Sequence, residues 1–376
     1  MFERIKAVMK KEQTMILRDH TTLALSFILP LFQIILFGFA ISLSVKHIPM
    51  VVMDQSMDSE SRAYLDSLTT TGYFDVAGYV SSQAEAKKAI DENRALVAVI
   101  IPPDLTAKIE RGDARVLVLV DGADPFVSLS AYYNSYIASQ NHAISILFQK
   151  ASQVPELANA STEPLQARTK ILYNPDMADL WFVIPSMIAL IIQIQSIALV
   201  ANTIVKEREV GTMEQILVTP LSPIELLVGK LVPNVGLILC TLLATLYTGI
   251  LFFHVPFKGN MAMFLLMSLI YIFSSVGLGL LISTISKNQK QAAQYNIALA
   301  VISLSVSGFV FPRKQMPVFL QWVGNLFPIT YYVPIVRGEI NKGVGMSVLG
   351  PMVYILILYT ALIMFLASKA FKKKLD

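Results

Sequence analysis

The chain has 376 residues and a formal net charge of +4; 55% of its residues are hydrophobic and only 15% are charged. That usage lies well away from ordinary globular proteins and points to the membrane class. A single cysteine, Cys240, excludes an intramolecular disulfide and a cysteine-built metal cluster.

Residues 1–20 carry Phe2, Ile5, Val8, Met9 and Ile16 at helical spacing among Arg4, Lys6, Lys10, Lys11 and Glu12, which predicts an amphipathic helix lying on the inner membrane surface. The uncharged run at 21–45 is too long for a signal-peptide core and lacks a small-residue cleavage site, so it reads as a retained first span. Residues 46–176 then form a polar insertion. Strand-like patterns at 48–54, 73–80, 95–102 and 115–122 alternate with helical ones at 60–72, 82–94 and 103–112, and a long helix is predicted from Pro125 to about Ala151. This is the pattern of a small α/β domain with a sheet of about four strands. Asp54, Asp121 and Asp124 fall at strand ends, where catalytic groups sit in α/β folds, but Asp-Gly and Asp-Pro are equally turn chemistry. No nucleophile elbow or zinc-binding helix motif is present, and His47 and His142 stand alone, so the insertion reads as a binding module.

Further uncharged runs at Leu180–Val205, Leu231–Phe257, Gly259–Ser286, Gln291–Pro312 and Gly343–Ser368 place spans two to six within 178–369 and bring the predicted total to six, each able to cross about 30 Å of hydrocarbon. A seventh run, Gln315–Val336, contains Pro317, Gly324, Pro328 and Pro334, and reads as a pair of short re-entrant or interfacial helices. Gln193, Gln195 and Asn202 in the second span, and Gln294 and Asn296 in the fifth, must find partners in other helices or line a substrate path. The six runs hold no Asp, Glu, Lys or Arg, which argues against an ion-coupled carrier. Basic residues concentrate in the N-terminal segment, around 206–230, at 287–290 and in the tail at 370–376, which sets both termini in the cytoplasm and 46–176 outside; no nucleic acid is needed to explain them. The fold class expected is thus an α-helical integral membrane protein of six transmembrane helices plus re-entrant helices, with an inserted extracytoplasmic α/β domain.

The densest polar interruption between two spans is Lys206–Lys230, KEREVGTMEQILVTPLSPIELLVGK. Thr212 with Gln215, and Ser222 with Glu225, are capping-box patterns, and Pro223 occupies a first helical position. Pro220 ends the first helix at Thr219 after about six residues, too few to be stable alone in water, so this helix needs a surface to lie against.

This segment resembles the cytoplasmic coupling segment of type-2 ATP-binding-cassette (ABC) exporter permeases, in which a Glu-rich turn, Gly-Thr, Thr-Pro and Gly-Lys occur at this spacing between spans. Residues 1–20, ending in Arg18-Asp19, resemble the family's elbow helix. The stretch near 312–341 is similar to its outer re-entrant element at Gly308, Pro312, Met316, Pro317, Pro328, Thr330, Tyr331 and Arg337. The resemblance implies that residues 206–222 dock into a separate ATPase subunit through Glu207, Arg208, Glu209, Gly211, Thr212, Glu214, Thr219 and Pro220. It further implies that ATP and Mg are held by that subunit, with no cofactor on this chain, and that a second permease chain, identical or paralogous, completes the transporter in the bacterial inner membrane. The multidrug-exporter branch implies hydrophobic drugs or lipid-like molecules as cargo and leaves room for a periplasmic adaptor. No phosphate loop is present, so hydrolysis by this chain is not expected. Read without the resemblance, the chain also fits a membrane-anchored sensor that binds a ligand with its outer domain.

Overall fold

The computed structural model describes residues 2–40, 46–123, 125–152, 172–174, 179–212, 222–309 and 312–375. The chain divides into two compact units, one from Met1–Ile41 with Ile171–Asp376 and the other from Ser42–Lys170.

The larger unit is helical. It contains α1 (Phe2–Arg18) and α2 (His20–Ala40); α3 to α6 belong to the smaller unit, and α7 (Asp179–Glu209), α8 (Pro223–Phe253), α9 (Met261–Ile285) and α10 (Gln289–Val306) follow. Two short helices, α11 (Val318–Gly324) and α12 (Ile329–Arg337), precede the last one, α13 (Met346–Leu375). Among the described residues five helices are long and apolar enough to cross a membrane: His20–Phe39, Asp179–Glu209, Ile224–Phe253, Met261–Ile285 and Met346–Phe371. The remaining expected span, the fifth in chain order, corresponds to α10, whose 18 residues open on Gln289, Lys290 and Gln291 and then carry Gln294 and Asn296. Those polar turns keep it below the apolarity of the other five.

Helix α7 is the centre of this unit. Its span window is 83% buried, whereas those of α2 and α13 are 22% buried and turn Ile28, Phe32, Leu358 and Phe365 outward. A helix that is apolar all round belongs inside, and one with a single covered face belongs at the periphery. Close approach of α7 and α9 depends on Gly279, where an added Cβ would lie 3.0 Å from the Ile197 carbonyl oxygen. Small residues at such crossings are the usual means of packing helices in lipid, where burial alone gives little drive.

The smaller unit has the alternation seen in the sequence: β1 (Ile48–Asp54), α3 (Ser59–Thr69), β2 (Phe74–Tyr79), α4 (Gln83–Asp91), β3 (Val97–Ile101), α5 (Leu105–Arg111), β4 (Leu117–Val120) and α6 (Pro125–Ser152). The strands form one sheet in the order β2-β1-β3-β4, with β1 parallel to β2 and β3, and β4 antiparallel to β3. Side chains alternate between faces. Met50, Val52, Val97 and Val99 pack with Tyr64, Leu68, Leu105 and Ala131 from α3, α5 and α6, while Val51 and Ala98 meet Ala86 and Ala89 of α4 on the other face.

Asp54 and Asp58 organise one end of this sheet. Asp54 accepts from the backbone N–H of Ser56 and Met57, both at 3.0 Å, and from Ser61 Oγ at 2.8 Å, so it does turn work. Asp58 caps α3 through the Ser61 N–H at 2.7 Å and holds the start of α5 through Thr106 Oγ1 at 2.7 Å. Burial pushes its carboxyl up, but hydrogen bonds from Ser56, Ser61 and Thr106 outweigh that and hold it well below the usual carboxylate range. A depressed folded pKa means stability that is present above the unfolded value and fades as pH falls through the folded one. Asp58→Ala is therefore expected to cost about 1 kcal/mol at neutral pH and to flatten the loss of stability on acidification, read as urea midpoints at pH 7 and pH 3.

Candidate functional site

The segment singled out from the sequence is flanked by two described helix ends. Residues 213–221, and with them Glu214, Thr219 and Pro220, lie outside the described residues. On one side α7 ends at Glu209, and Gly211 two residues on has a φ of 77°, a left-handed conformation that suits glycine just past a helix end. Thr212 donates its hydroxyl back to the Glu207 carbonyl at 3.2 Å. On the other side α8 begins with the expected capping box: the Ser222 N–H donates to Glu225 Oε2 at 2.8 Å, the Glu225 N–H donates to Ser222 Oγ at 3.3 Å, and Pro223 opens the helix.

Three consecutive charged residues at the end of α7 reach in three directions. Glu207 is only 7% exposed and turns inward, its Oε1 2.6 Å from Lys230 Nζ on α8 and 3.7 Å from Lys11 Nζ on α1. Lys230 lies 3.7 Å from Glu12 Oε2, and both side chains are about as buried as Glu207. Burial pushes the Glu12 carboxyl up, Lys230 and Lys11 oppose the rise, and Glu207 adds to it. Two carboxylates thus face two ammonium groups. Lys230 Nζ, 2.6 Å from Glu207 Oε1, is the common counter-ion of the two carboxylates. Gly229 lets α1 reach this depth, because a Cβ there would stand 2.6 Å from Val8 Cβ.

Arg208 points elsewhere. Its Nη2 donates to the carbonyl oxygens of Ser283, at 3.0 Å, and Ser286, at the end of α9. Glu209 accepts from the backbone N–H of Gln289 at 3.1 Å and from its side-chain amide, at the start of α10. Each charge also has the sign that a helix end favours, a cation at the C-terminus and an anion at the N-terminus. The end of α7 therefore clamps α1, α8, α9 and α10. Sequence reading missed Glu12, Lys11, Gly229 and Lys230. The signal available was only that a Gly-Lys pair follows a capping box within an otherwise apolar helix.

The polar residues of the spans divide. Gln193 donates to Ser303 Oγ at 2.9 Å and accepts from the Tyr271 hydroxyl at 3.3 Å; Gln195 donates to the Ser26 carbonyl and to Thr241 Oγ1, both at 3.1 Å; Asn296 donates to the Ile194 carbonyl at 3.1 Å. These three join helices. Asn202 is half-buried and Gln294 exposed on the opposite side of α10 from Asn296.

The proline-rich stretch forms the expected two short helices. Gly308 turns with φ 88°, Pro312 and Met316 bracket a short turn at Arg313–Gln315, Pro317 precedes α11 and Pro328 precedes α12. Thr330 Oγ1 donates to the Gly324 carbonyl at 2.6 Å and the Tyr331 hydroxyl to the Asn325 carbonyl at 2.9 Å, which folds α12 back on α11. Arg337 stacks 3.5 Å above the Phe182 ring and donates to Ser186 Oγ at 2.6 Å and to the Gly308 and Phe309 carbonyls at 3.3 and 3.1 Å. It ties this element to α7 and to the end of α10. Glu339, 1% exposed, accepts from the Asn260 N–H at 3.2 Å. Buried charge is thus present in this unit, but in the short-helix element and at helix ends.

Among the described residues no group of three or more His, Cys, Asp or Glu side chains could hold a metal ion. A family model described as ABC-2 family transporter protein matches residues 20–369. Over its whole length the chain is 30% identical to the full length of an Escherichia coli K12 protein described as probable multidrug ABC transporter permease YbhR. It is 27% identical over 99% of its length to YbhS of the same organism, described likewise, with 97% of that relative covered. It is also 25% identical over 98% of its length to ABC transporter G family member 20 of Dictyostelium discoideum, of which it spans 50%. With a family model spanning all the helices from α2 to α13 and relatives aligned end to end, the chain belongs to the ABC-2 transporter family as a permease.

Proposed function

We propose that this permease exports hydrophobic drugs or lipid-like molecules across the bacterial inner membrane, driven by ATP hydrolysed on a separate subunit that docks at residues 206–222. The observation that carries the reading is the clamp at Glu207–Glu209, which joins α1, α8, α9 and α10 at the root of the docking segment. A load applied to that segment reaches four helices through three adjacent side chains. Glu207, turned inward, acts in this reading as a transmitting residue, and direct contact falls to the residues from Gly211 onward. ATP and Mg reside on the partner, and a second permease chain completes the pathway. Both termini face the cytoplasm, with α10 as the fifth of six spans and the smaller unit outside.

The test is co-expression with a candidate phosphate-loop ATPase, reconstitution into vesicles, and measurement of ATP-dependent accumulation of a fluorescent hydrophobic dye. Accumulation that needs both subunits and is abolished by Lys230→Met supports the reading. A folded permease that retains no ATPase, or moves dye without ATP, sinks it.

A further inference from the structure

The smaller unit carries a feature that the transport reading leaves unused. Strand β4 is an outer strand of the sheet and pairs only with β3. The Asp121 N–H donates to the Leu96 carbonyl at 2.9 Å, which sets the phase of that ladder. In an antiparallel pair the bonding groups alternate, so the N–H and C=O of Val118 and Val120 turn away from β3. Among the described residues no strand pairs with that edge.

Folded proteins usually blunt such an edge with a charge, a bulge or a cover. The opposite edge follows that rule, since β2 carries Asp75 and its pairing with β1 is interrupted between Met50 and Val51. The four residues of β4, LVLV, carry no charge. Cover is also thin on one face. Helix α4 sits low over the two central strands because Ala86 and Ala89 meet Val51 and Ala98, and Ile90 of α4 and Leu119 of β4 both pack, half-buried, at the margin of that cluster. Between α4 and β4 lies a hollow of about 630 Å³, walled by Ala84, Lys87, Ile90, Leu119, Val120 and Asp121 among others. That volume falls within the roughly 300–1,000 Å³ of ordinary binding pockets. Lys87 and Asp91, also on its wall, form no ion pair among the described residues.

We propose that β4 and α4 form a docking groove for an extended peptide segment of a partner protein, bound by strand addition. The partner's backbone bonds to Val118 and Val120, and its alternate side chains enter the hollow over Leu119 and Ile90. Charged groups of the peptide meet Lys87 and Asp91. A second copy of this chain is the weaker fit, because a strand of four residues offers it far less than the roughly 1,000 Å² that a stable protein pair buries. A single extended chain gains the hollow as well as the edge.

The experiment uses the full chain in lipid nanodiscs as bait for a phage library of random linear dodecapeptides, followed by synthesis of a retained peptide. The expected result is micromolar or tighter binding, with backbone hydrogen exchange over 117–121 slowed at least tenfold by the peptide. Val118→Pro removes an N–H that faces away from β3, and Ala84→Trp fills the hollow from an exposed position on α4; each is expected to weaken binding at least tenfold. Unchanged exchange protection of β3 shows that both variants remain folded. The proposal is overturned if no peptide is retained, if a retained peptide binds both variants as well as the parent, or if protection of β4 instead rises with chain concentration in the absence of peptide.

Discussion

Lys230→Met is expected to lower the stability of the detergent-solubilised permease by about 3–5 kcal/mol, the usual cost of breaking a buried ion pair from one side. The substitution keeps the length of the side chain but leaves Glu207 and Glu12 as two buried carboxylates, with only the half-exposed Lys11 as counter-ion. Like charges in such a site cannot both remain ionised. The carboxyl of Glu12, already pushed up by burial, rises further in the variant. A raised folded pKa on an acid means that stability is present at low pH and lost as pH rises through the folded value. The melting temperature of Lys230→Met should therefore recover on acidification from pH 8 to pH 5, and by more than that of the parent, in which Lys230 still opposes the rise. The double substitution Glu207→Gln with Lys230→Met removes one charge of each sign and should regain most of the stability, since neutral replacements of buried pairs are often tolerated. If the cluster transmits force, the double variant regains stability without regaining dye transport. Full recovery of transport would reduce the cluster to a packing element.

Arg337→Lys is expected to cost about 3 kcal/mol in the same unfolding assay and to abolish transport while leaving ATPase association intact. The guanidinium serves five groups at once: the Phe182 ring and carbonyl, Ser186 and the carbonyls of Gly308 and Phe309. An ammonium is a point charge that can neither stack flat nor satisfy that fan of acceptors. The carbonyls it abandons lie at the end of α10, where the helix leaves orphan acceptors, and each buried acceptor left unpaired costs roughly 1–3 kcal/mol. Arg337→Lys with the parent's melting temperature and transport would mean that α12 is held in place by packing alone.

The elements whose signals are local were legible in the residues. Ser222, Pro223 and Glu225 announce the start of α8, and the capping box forms as written. Pro317, Gly324 and Pro328 break the seventh apolar run, and two short helices result. The four strands at 48–122 follow their alternation within a few residues because pleating and burial act over neighbouring side chains. The fifth span was less legible: Gln291–Pro312 is uncharged, but its amide side chains leave α10 less apolar than a length count suggests.

What the residues determined by themselves is the kind of each element, where it starts and stops, and the membrane class of the whole, since capping, backbone restriction and hydropathy are properties of short windows. The tertiary structure alone decided which charges are surface and which are structural. Lys11, Glu12, Glu207 and Lys230 read in isolation as solvated residues of basic or mixed segments. They become one buried cluster only because Gly229 admits α1 against α8, bringing three distant segments to the same point. Gln193, Gln195 and Asn296 are helix joints rather than free polar groups for the same reason. A partner's position depends on how whole helices cross, and crossing geometry is set by small residues and side-chain fit spread over the full chain.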